Sequence, residues 1–206
     1  MTIDARALAG VSIRRVPVAA VGAGVVLATV ALTFAAMSVE VAGDLLPVVR
    51  LAAVVVAASC AGAVGDPTAP LTDSTWRGRR RRAAFVLIPT IVLAVATWSA
   101  AAVGAQALAP GPSLPLGGLL VELVAMTLVC WIVTAVLAAT RGERGAALAG
   151  GSCVMVLALG TMSVPRTIEW LWRSPDQDWI VSHVRWIAIG AVAAVGLLVV
   201  WRDPAH

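Results

Sequence analysis

Ionisable side chains are scarce in this sequence, and four of them stand inside long apolar runs: Arg50, Glu122, His183 and Arg185. A charge in a hydrocarbon environment is costly, so such residues mark either a structural pair or a functional site. Arg50 could pair with Glu122 or with Asp44. The pair would be a structural salt bridge or the polar lining of an outward-facing exit or headgroup site. No acidic residue falls at the middle of any run, which argues against a proton-driven pump with a central carboxylate relay. His183 and His206 are the only histidines, and no HExxH, spaced His pair, Ser-His-Asp set or GxxxxGK[ST] occurs. No catalytic and no metal-binding residue is therefore expected, and the chain cannot hydrolyse a nucleotide by itself. An enzyme acting on lipid would have to use Glu122, His183 or Asp176, yet no two such groups are adjacent at a definite spacing. Cys60, Cys130 and Cys153 all lie in apolar runs, with an odd count and no CxxC, as expected of inert packing residues.

The elements that must position these groups follow from composition. The 206 residues are 60% hydrophobic and 13% charged, with a mean hydropathy of +0.94. Soluble domains carry about 25% charged residues, so the expected solvent is lipid. A crossing helix needs about 20 apolar residues, and six segments qualify: 16–39, 45–65, 83–107, 117–140, 145–165 and 180–201. The fold class expected is all-α, a single polytopic membrane domain of six transmembrane helices.

Orientation is read from arginine, since the sequence has no lysine and arginine in short loops stays on the cytoplasmic side. Arg6, Arg14 and Arg15 precede the first run, five arginines follow the second, and Arg141 and Arg144 follow the fourth. The loops between these hold acidic residues, no charge, or a balanced mixture. Both termini are thus expected in the cytoplasm of a bacterial plasma membrane. The basic block at 77–82 becomes a cytoplasmic anchor that binds anionic headgroups, and nucleic acid is not expected as a partner.

Three connecting segments are longer or more ordered than a connector needs. Residues 2–15 form either an interfacial helix or a frayed tail. The cytoplasmic segment 66–82, DPTAPLTDSTWRGRRRR, is long for a helix–helix connection. It contains capping residues and expects a short helix somewhere in 70–82 that runs into the third span. The external segment 166–179 carries Trp170, Trp172 and Trp179, placed as an interfacial aromatic belt or as a short helix at the outer leaflet.

This layout, with the stretch from Gly65 to Arg82 (GDPTAPLTDSTWRGRRRR) and a tail carrying RDPA, resembles the permease subunits of ATP-binding-cassette exporters, the small six-helix actinobacterial type. The resemblance covers the whole chain in layout. It implies a coupling helix at Pro70–Arg82 that docks on a separate cytoplasmic ATP-binding subunit, with Leu71 and Trp76 as anchors and Asp73, Arg77, Arg79 and Arg80 beside them. It also implies an external gate at Trp170, Trp172 and Trp179. A second permease copy or paralogue would complete the path. ATP and magnesium would sit on the partner, leaving this chain without a cofactor. The cargo expected is a hydrophobic or amphipathic small molecule, peptide or lipid. The alternative is a non-catalytic accessory or scaffold subunit of another membrane complex.

Overall fold

The computed structural model describes residues 18–40, 42–64, 76–109, 111, 113–141, 145–162 and 179–201. These residues form an all-α structure: α1 (Val18–Ser38), α2 (Leu46–Ser59), α3 (Trp76–Leu108), α4 (Leu116–Arg141), α5 (Ala146–Met162) and α6 (Trp179–Val200). A 3₁₀ turn at Ala42–Leu45 leads into α2, and another at Cys60–Ala63 extends it. Five helical stretches are long and apolar enough to cross a membrane: Val18–Ser38, Leu46–Ala63, Ala84–Leu108, Leu116–Thr140 and Trp179–Val200. That is the content expected of a multi-pass membrane protein.

The fifth expected segment is described over Ala146–Met162, 17 apolar residues of α-helix, and the rest of the run expected to 165 lies outside the described residues.

Because the helices are apolar on every side, packing rather than polarity distinguishes their faces. In α1, Val21, Gly24, Ala28, Leu32 and Ala36 are buried at three- and four-residue steps, whereas Leu27, Phe34 and Met37 point outward. The small residues set how closely helices approach. A Cβ on Gly24 would stand 2.7 Å from Ser59 Oγ, fixing α1 against the end of α2, and one on Gly151 would stand 3.0 Å from the Ala58 carbonyl oxygen, fixing α5 there too. The α4 helix is central, packing against α2, α3, α5 and α6, while α6 packs chiefly on α4. Across the α2–α4 contact, the Trp131 indole N–H donates to the Cys60 carbonyl at 2.9 Å, so the broken end of α2 keeps a partner.

The connectors set direction. Residues 39–45 join α1 to α2 and residues 109–115 join α3 to α4, each too short to recross the bundle. In the second connector, Gly111 adopts φ 111°, a conformation open to glycine. The Gln106 side chain accepts the Leu114 N–H at 3.1 Å, tying the loop to the end of α3. Because Arg50, near the start of α2, pairs with Glu122, near the start of α4, these two helices start at the same end of the bundle. The α3 helix, which runs into α4 through its short connector, starts at the other. There α3 begins with the basic block: its 33 residues run unbroken from Trp76, about 50 Å. The eight residues before Ala84 therefore extend about 12 Å beyond the apolar stretch. Pro89 lies inside this helix and leaves the Phe85 carbonyl without its usual N–H. The next residue, Thr90, donates its hydroxyl to the Val86 carbonyl at 2.7 Å.

Candidate functional site

The polar groups named from sequence converge at the end where α2, α4 and α6 begin. Arg50 is the fifth residue of α2, Glu122 the seventh of α4 and His183 the fifth of α6. Each is thus about 6–9 Å along its helix. Arg50 grips Glu122 with two parallel bonds: its Nε donates to Oε2 at 3.0 Å and its Nη2 to Oε1 at 2.9 Å. This fork-on-carboxylate geometry is the strongest form an ion pair takes. Glu122 is fully buried, and Arg50 and His183 are 6% and 8% exposed. Of the two partners considered for Arg50, the carboxylate is Glu122, while Asp44 is exposed in the preceding 3₁₀ turn.

His183 is the third member. Its Nδ1 lies 2.7 Å from the Trp179 carbonyl oxygen. A carbonyl oxygen only accepts, so Nδ1 carries a proton. Its Nε2 lies 3.4 Å from Glu122 Oε1, within ion-pair range, yet makes no aligned hydrogen bond. The distance and the missing bond are compatible, because the first reports proximity and the second also requires direction.

Trp179 closes the cluster. The Arg50 guanidinium carbon stands 5.4 Å from the Trp179 ring centroid, a cation–π distance. The Trp179 and His183 rings lie 4.2 Å apart at 41°. The room for both rings comes from Gly118 on α4: an added Cβ would strike His183 Nε2 and stand 2.7 Å from Trp179 Cζ2. Gly118 did not stand out in the sequence. A glycine two residues into an apolar run is unremarkable until the rotation of the facing helix is known.

The other expected site residues fall differently. Arg185 sits two residues beyond His183 on α6 and is half-buried. Trp76, Arg77, Arg79 and Arg80 occupy the first two described turns of α3, so the helix expected within 70–82 is described from Trp76 on and is continuous with the third apolar stretch. Leu71, Asp73, Trp170 and Trp172 lie outside the described residues, as does the segment 2–15. Trp179, expected in an external gate, is the first residue of α6 and contacts the Arg50 cluster. An apolar groove of about 460 Å³ lies between α4 and α6, lined by Leu120, Val124, Leu128, Trp186, Ile187 and Gly190 among others.

Chemically, the cluster ties three helices together and leaves His183 Nε2 beside the Glu122 carboxylate without an aligned hydrogen bond. No protein-family model, no curated protein and no solved structure matches the chain.

Proposed function

We propose that the chain is the membrane-spanning subunit of an ATP-binding-cassette exporter, driven by a separate cytoplasmic ATPase. The carrying observation is the continuity of α3: the basic stretch 77–82 is helical and in one piece with the apolar helix behind it. A rigid projection of about 12 Å is suited to transmit a push from a cytoplasmic partner, which a slack loop is not. In this reading Leu71, Asp73 and Trp76 meet that partner, Arg77, Arg79 and Arg80 orient it, and ATP and magnesium belong to it. The chain itself carries no catalytic centre.

The same reading takes all six helices as crossings with both termini in the cytoplasm of a bacterial plasma membrane. Arg141 at the end of α4 lies at the same end of the bundle as the α3 projection, as the distribution of positive charge requires. Cargo, a hydrophobic or amphipathic compound, would pass between two permease copies.

A second reading, an accessory or scaffold subunit, is favoured by one feature. The charged groups buried in the described interior gather at one end and pair with each other, so the described residues form no chain of charged groups from one end to the other. Replacing both Leu71 and Trp76 by Ala separates the two. Loss of the co-purifying ATPase with normal membrane insertion supports coupling; an unchanged complex assigns the basic block to anchoring alone.

A further inference from the structure

The His183 imidazole has one nitrogen committed and one waiting. Nδ1–H is held by the Trp179 carbonyl at 2.7 Å, so in the neutral ring Nε2 bears a lone pair. That lone pair faces Glu122 Oε1 at 3.4 Å, an oxygen that already accepts from Arg50 Nη2. Two acceptors then confront each other in a site shielded from water, where an unmade bond is most costly. A proton on Nε2 turns the same contact into a charge-assisted N–H···O bond.

We propose that His183 is a proton-operated latch, joining α6 to the α2–α4 pair when Nε2 is protonated and loosening it when the proton leaves. The architecture gives the latch leverage. The α6 helix packs chiefly on α4, and its outer face, with Ile180, Val184, Val192 and Val195, is exposed. Its ties to α2 at this end run through the Glu122 carboxylate that Arg50 holds and through the Arg50–Trp179 contact. Among the described residues, the charged groups around the imidazole are Glu122 from α4, Arg50 from α2 and, two positions along α6 itself, Arg185. Gly118 leaves the space in which the ring can close on the carboxylate. Closing the latch forms one N–H bond at Nε2 with a proton taken from bulk water and opening returns it, and no bond between heavy atoms changes. The latch does not depend on what the protein transports or on a partner.

The test uses the full chain in lipid nanodiscs with His206→Asn, so that a single imidazole remains. Histidine ¹⁵N spectra are recorded from about pH 8 to about pH 5, where imidazoles ordinarily titrate. The expected spectrum at the alkaline end is the neutral ring with its proton on Nδ1, and at the acidic end a second proton on Nε2. The thermal midpoint should rise on acidification by about 2–4 °C or more relative to His183→Gln. A neutral ring carrying its proton on Nε2, or midpoints that move in parallel in the two chains, would overturn the latch. Should His183→Gln fail to insert, the spectra decide: an Nε2 that takes up no proton in this range overturns it equally.

Discussion

Glu122 is fully buried and takes both Arg50 bonds and the His183 contact, so the energetics of the cluster turn on it. Breaking a buried pair from one side costs far more than removing both partners, because the survivor keeps an uncompensated charge. Arg50→Met is therefore expected to lower stability by about 3–5 kcal/mol, and Arg50→Met with Glu122→Leu to recover most of that loss. Thermal unfolding in nanodiscs measures both; a double variant no better than the single one would mean the charges do more than pair. Much of this site was legible beforehand. Arg50 and Glu122 are lone charges at similar depth in two apolar runs, and such charges seek each other. The choice of Glu122 over Asp44 was not legible, nor was the arrival of Trp179 beside them. Both depend on which way each helix is turned, and in runs apolar on all sides no sequence pattern records that rotation.

At the scale of elements, glycine carries the information that polarity does not. Gly118 admits the His183 and Trp179 rings between α4 and α6. Gly118→Ala is expected to push α6 away from α4 and cost about 1–3 kcal/mol, whereas Gly117→Ala, with open space around its Cβ position, should change little. Comparing the melting of the two variants checks this, and equal effects would contradict the packing described here. The helices themselves were legible as apolar runs of crossing length. The start of α3 was legible as well: a helix was expected within 70–82 running into the third span, and the described helix runs from Trp76 through the arginines. Arginine is a good helix former, and the long apolar helix behind it supplies the nucleus. The α5 helix is described over Ala146–Met162, within the run expected to 165, whose last residues lie outside the described ones.

On the scale of the whole molecule, the bundle has two unlike ends. One gathers the paired charges of α2, α4 and α6, and the other projects the basic start of α3 and the end of α4. In the proposed exporter reading, a cytoplasmic partner pushes on the second end while the contacts at the first can loosen. The most direct measurement is to solubilise the tagged chain from its native membrane and identify what co-purifies. The account predicts a soluble protein with a nucleotide-binding P-loop in stoichiometric amount, lost when Leu71 and Trp76 are replaced by Ala. Reproducible recovery of the chain with no such ATPase would contradict it.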